Sequence, residues 1–86
     1  MFNVCLSNRS CIFDSCNGFG TVQEALDWAS GRGGTYVVQI AREVNGEEVS
    51  FLSVAADNRR GSKTRFSRQM FSGWVTVTAE DIALAL

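Results

Sequence analysis

The sequence predicts an α+β fold: a small antiparallel sheet of about 4-5 strands built on a central hairpin, with one short helix packed on a face and a short helix at the C-terminal end. Three observations carry this expectation. Residues 35–44 (TYVVQIAREV) and 47–56 (EEVSFLSVAA) are rich in β-branched and aromatic side chains and flank Asn45-Gly46. Asn-Gly between two such runs is a strong hairpin signal, because both residues tolerate the positive φ that a tight turn requires. Thr21-Val22-Gln23-Glu24 has the pattern of a capping box and opens a helix over 22–30. Trp74 to Thr78 reads as a strand, and Thr78-Ala79-Glu80-Asp81 then opens a helix over 79–85.

From the N-terminus, Phe2, Val4 and Leu6 alternate with Asn3, Cys5 and Ser7, the pattern of a half-buried strand. Asn8-Arg9-Ser10 is a turn, Cys11-Ile12-Phe13 a second short strand, and 15–20 a loop carrying Gly18 and Gly20. In the helix that follows, Val22, Ala25, Leu26 and Ala29 share one stripe with Trp28 at its border, and Gly31 suits a left-handed C-terminal cap. A helix of about nine residues does not hold alone, so it docks on the sheet.

The hairpin has two registers open to it. A two-residue turn sets Glu43 against Glu48 and groups Tyr36, Val38 and Ile40 with Val49 and Phe51. A three-residue loop groups them instead with Leu52 and Val54, and gains an Arg42–Glu48 pair that slightly favours it. A one-residue slip exchanges the faces, so this choice decides what enters the core. Apolar residues on both faces, Val37 beside Val38 and Leu52 beside Phe51, imply a second covered face or a surface for a partner. Residues 63–72 fit a helix, with Phe66 and Met70 at i,i+4, as well as they fit a strand.

The composition of the 86 residues, 45% hydrophobic and 20% charged, is that of a single compact domain spanning 1–86. No apolar run approaches the ~20 residues of a membrane span, and the start lacks the pattern of a signal peptide, so the expected location is cytoplasmic with no membrane partner. The chain has no histidine and no proline. Without histidine the commonest general base is missing, and no nucleophile–base or metal constellation is visible, so the expectation is a protein that is not an enzyme and needs no cofactor. Cys5, Cys11 and Cys16 are odd in number, not spaced as CxxC, and read as reduced apolar side chains; a metal site would need a fourth ligand such as Asp14. The Gly61-Ser62-Lys63-Thr64 stretch lacks the glycine before the lysine of a phosphate loop, and Gly18-Phe19-Gly20 lacks the third glycine of a dinucleotide fingerprint. Glu43, Glu47 and Glu48 read as solvated charge at a hairpin tip.

Charge is strongly polarised along the chain. Residues 58–79 carry five basic residues and no acid, whereas the remainder sets Arg9, Arg32 and Arg42 against all nine acids, giving the overall net charge of −1. Arg59, Arg60, Lys63, Arg65 and Arg68 are therefore the candidate partner-binding residues. Arginine is enriched at protein interfaces, and the expected function is a small non-enzymatic interaction protein that binds a macromolecule, a protein rather than a nucleic acid. In size and single-domain organisation it compares with phage and mobile-element inhibitors such as anti-CRISPR and antirestriction proteins. The alternative is a DNA- or RNA-binding module using 59–68, with Phe66, Phe71 and Trp74 stacking on bases. A homodimer is the other association the thin core and open sheet edge invite.

Overall fold

The computed structural model describes residues 1–9, 11–58 and 63–86. They form an α+β domain: β1 (Phe2–Asn8), β2 (Cys11–Phe19), α1 (Val22–Ala29), β3 (Thr35–Val44), β4 (Glu47–Asp57), β5 (Arg65–Met70), β6 (Gly73–Thr76) and α2 (Ala79–Ala85). The strands make one antiparallel sheet in the order β2-β1-β3-β4-β5-β6, six strands rather than the expected 4-5. β2 and β3 both run antiparallel to β1 and so parallel to each other. α1 carries the chain across β1, a split β-α-β connection.

One strand, β5, is added, and another, β2, is longer than expected. β2 continues through 15–19, where a loop was expected. Its polar and glycine residues have little strand propensity of their own; cross-strand pairing with β1 holds them extended. Register shifts in that pairing absorb the misfit. Gly18 takes φ +90°, and its N–H donates to the Asn3 side-chain oxygen at 3.2 Å. Residues 65–70 are a strand and not a helix. Phe66 pairs with Ala56 and is buried, while Met70, its helical i+4 partner, is exposed and pairs with Gly73 across a two-residue turn. The strand expected from Trp74 to Thr78 is the shorter β6.

The central hairpin resolves its own ambiguity with a bulge. Asn45 (φ 53°) and Gly46 (φ 83°) form a two-residue turn, and Glu43 faces Glu48, so the favoured three-residue loop is not formed. The register then shifts at Val49: Arg42 faces Ser50, Ile40 faces Leu52 and Val38 faces Val54. One unpaired residue thus combines the turn of one register with the face grouping of the other. The driving force is burial, since without the shift Phe51 would replace Leu52 beneath the helices.

Both ends of α1 carry the expected cap residues, with the Thr21 half of the capping box formed. The Thr21 hydroxyl accepts from the Glu24 N–H at 3.1 Å, Val22, Ala25, Leu26 and Ala29 are buried, and Gly31 adopts φ +82°. The Tyr36 hydroxyl donates to the Ala29 carbonyl at 2.6 Å and pins the helix end to β3. At α2 the capping box between Thr78 and Asp81 is complete, and Ile82 is fully buried. The core joins these side chains to Val4, Leu6, Tyr36, Val38, Ile40, Val54, Ala56 and Phe66, all on one face of the sheet. No helix among the described residues is long and apolar enough to cross a membrane.

Candidate interaction surface

The opposite face of the sheet carries no helix among the described residues. Strand alternation places Asn3, Val37, Gln39, Ala41, Glu43, Phe51, Ser53, Ala55, Arg65, Ser67 and Trp74 there. Phe51 (74% exposed) and Trp74 (63%) stand out from it. Beside Trp74 lies an open hollow of about 770 Å³, floored by Val37, Ala55 and Ser67, with Arg9 at its other rim.

Charge on this open face is divided by ends. Glu43 and Glu48 lie at the Asn45-Gly46 end, where the Asn3 side-chain amide donates to both, at 3.1 and 3.2 Å. Asn3 is the buried polar side chain of the sheet, and its oxygen is satisfied by Gly18, so the two carboxylates are held beside each other by a neutral donor. Arg9, Arg65 and Asp57 lie at the other end, with Arg65 facing Asp57 in register.

The five candidate partner-binding residues are not all on one surface. Arg59 and Arg60 lie outside the described residues. Lys63 is exposed just before β5. Arg65 and Arg68 fall on opposite faces of β5: Arg65 on the open face, Arg68 with Phe66 on the helix-bearing face. Beyond the reach of the helices, Arg68, Met70 and Val75 share that face, and Phe71 at the turn is fully exposed. The β5–β6 hairpin therefore has two distinct sides, one with Arg65 and Trp74, the other with Arg68, Met70 and Val75.

The base of the basic segment is fixed. On its N-terminal side the Asn58 N–H donates to the Gly34 carbonyl at 2.9 Å, and its side-chain amide donates to the Arg32 carbonyl at 3.1 Å. On its C-terminal side the Thr64 hydroxyl accepts from the Gly31 N–H at 2.9 Å. Both flanks are thus tied to the loop after α1. Arg32 is committed inward: it pairs with Asp14 at 2.9 Å and lies over the Trp28 ring at 4.7 Å, with Phe19 on the same ring.

That pairing takes Asp14 away from the role of a metal ligand beside the cysteines. Among the described residues no group of three or more His, Cys, Asp or Glu converges on one point. Cys5, Cys11 and Cys16 are free thiols, with Cys11 exposed and donating to the Asn8 side chain. Sequence reasoning did not single out Met70 or Val75 as surface residues. The doubled apolar positions Phe51-Leu52 did signal a second face, because only one of two adjacent strand residues can enter a one-sided core. No protein-family model, curated protein or solved structure matches the chain.

Proposed function

We propose that this chain is a small non-enzymatic interaction protein that engages a protein partner through the β5–β6 hairpin and the basic segment leading into it. The observation that carries the reading is the side of the hairpin holding Arg68, Met70 and Val75, with Phe71 projecting at its tip. Arginine, methionine and aromatic residues are the types enriched in protein interfaces, and here they share one edge of the molecule without contributing to its core. Phe71 is the anchor: a fully exposed phenyl ring on a tight turn brings a large apolar surface to a pocket at little entropic loss. Lys63 and the rest of the basic segment, mounted on Asn58 and Thr64, extend the contact and favour an acidic partner surface. A domain that only occupies a partner's surface fits the role of a phage or mobile-element inhibitor.

The experiment is capture of a partner from host lysate with the wild-type chain, Phe71→Ala and Arg68→Glu. One species retained by the wild type and lost by both variants, with circular dichroism unchanged, supports the reading. Equal capture by all three removes the hairpin from the contact. DNA or RNA binding is the competing reading; it requires a mobility shift at low salt that weakens steeply as salt rises. Arg65 and Arg68, on opposite faces of β5, do not line one groove for a phosphate backbone.

A further inference from the structure

We infer that β6 is the docking edge of the sheet, where an extended, acidic segment of the protein partner adds as a seventh, antiparallel strand. The inference rests on the proposed contact at the β5–β6 hairpin and names its form.

The ladder between β5 and β6 fixes which backbone groups are free. Met70 pairs with Gly73, Arg68 with Val75 and Ser67 with Thr76. The Val77 N–H donates to the Phe66 carbonyl at 2.9 Å, which makes Arg68–Val75 and Met70–Gly73 the hydrogen-bonded pairs. Alternation then turns the N–H and C=O of Trp74 and Thr76 outward. β6 is the last strand of the sheet, and these four groups bond to none of the described residues. They form one side of an antiparallel ladder, so two residues of an added strand satisfy all four.

The two edges of the sheet differ. β2 breaks register twice against β1 and carries Asp14. Bulges and charge of this kind keep further strands from adding. β6 has neither. Its pairing with β5 is continuous, residues 69–79 bear no charge, and Trp74, Val75 and Thr76 are exposed. It is a bare edge of aromatic and β-branched residues, running from the turn at Phe71 to the Thr78 cap of α2.

Charge selects the occupant. Side chains of the added strand opposite Trp74 and Thr76 fall on the open face. The one between them falls beside Val75, with Arg68 next across the sheet. Two strand spacings of about 4.8 Å separate it from Arg68, a span that glutamate and arginine side chains bridge over Val75. Residues 58–79 contain no acid, so a second β6 would set two basic hairpins edge to edge. An acidic strand is therefore favoured over a copy of this chain.

The probe is a blocked hexapeptide of alternating valine and glutamate, titrated into the ¹⁵N-labelled chain. The Trp74 and Thr76 amides are expected to shift and to gain exchange protection that grows with peptide, with half-saturation at about 1 mM or below. The Gly73 and Val75 amides and those of β2 keep their exchange rates. A valine–lysine hexapeptide binds at least tenfold more weakly. Thr76→Pro removes one outward N–H, spares the hydrogen bonds between β5 and β6, and abolishes the protection of Trp74. Should that variant not fold, the two peptides decide alone. No shift up to about 5 mM peptide, equal binding of the lysine peptide, or shifts at β2 instead of β6 overturns the inference. So does protection of Trp74 and Thr76 that rises with the concentration of the chain alone, which assigns the edge to a second copy. The proposed contact is judged separately. Lysate capture lost by Phe71→Ala but kept by a folded Thr76→Pro leaves that contact standing and removes the added strand.

Discussion

Gly31 and Thr64 stand 33 positions apart, and a 2.9 Å hydrogen bond from the backbone N–H of the first to the hydroxyl of the second closes the ring around the basic segment. The C-cap residue of α1, Ser30, is extended (ψ 161°), so the next N–H, that of Gly31, turns away from the helix carbonyls and is satisfied by Thr64 instead. Thr64→Val keeps the shape of the side chain and removes the acceptor. The expected loss is about 1 kcal/mol of stability. Amide exchange checks the cause: the Gly31 N–H loses protection while those of β3 keep theirs.

The bulge at Val49 makes a prediction about deletions. Removing Val49 leaves Glu43 against Glu48 and Arg42 against Ser50, so every residue from Ser50 onward stays on its present face. The ladder becomes regular, and stability changes by no more than about 1 kcal/mol. Inserting one alanine between Gly46 and Glu47 is different. It pushes Leu52, Val54 and Ala56 toward the open face and Phe51, Ser53 and Ala55 toward the core. The insertion variant is expected to lose cooperative unfolding in urea, whereas the deletion variant keeps it.

That contrast shows where the fold was legible in sequence. Both hairpin limbs, the capped helices and the stripe Val22, Ala25, Leu26 and Ala29 follow from local chemistry, namely turn residues, cap residues and periodicity. The register did not, because a bulge is a compromise between turn geometry and burial that only the assembled sheet imposes. β2 beyond Phe13 was hidden, and β5 was legible only as one of two equal alternatives, strand or helix. Their residues are poor strand formers that extend because β1 and β4 present unpaired backbone to them. The surface was legible as charge but not as faces. Arg65 and Arg68 look like one cluster along the chain, and a strand period of two separates them.

Asn3 supports a third prediction. Its amide donates to Glu43 and Glu48 while its oxygen accepts from Gly18, so it needs both a donor and an acceptor end. Asn3→Asp conserves the size but replaces the donor by a third carboxylate beside two others. The expected destabilisation is about 2–3 kcal/mol, from a lost pair of charge-assisted hydrogen bonds and added repulsion. Repulsion between exposed charges is screened, so part of the loss is recovered between low and high salt. Asn3→Leu removes the polar group without adding charge and shows no such recovery. Urea denaturation of both variants at two ionic strengths separates the two effects.

Phe66 and Phe71 are five residues apart on one hairpin and have opposite fates. Phe66 is 9% exposed, faces Ala56 and packs with the core, while Phe71 at the turn touches almost nothing. Phe66→Ala opens a cavity against Ala56 and the core side chains around it, with an expected loss of about 3–5 kcal/mol. In a domain of this size that is a large share of the total stability of about 5–15 kcal/mol. Phe71→Ala removes a ring already in water and changes stability by no more than about 0.5 kcal/mol. The same comparison tests the functional reading, because the roles are reversed for binding. A folded Phe71→Ala chain that fails to retain the partner assigns that ring to the contact. A Phe71→Ala chain that loses stability as Phe66→Ala does would mean instead that the turn packs against the domain, and the hairpin would no longer be a free surface.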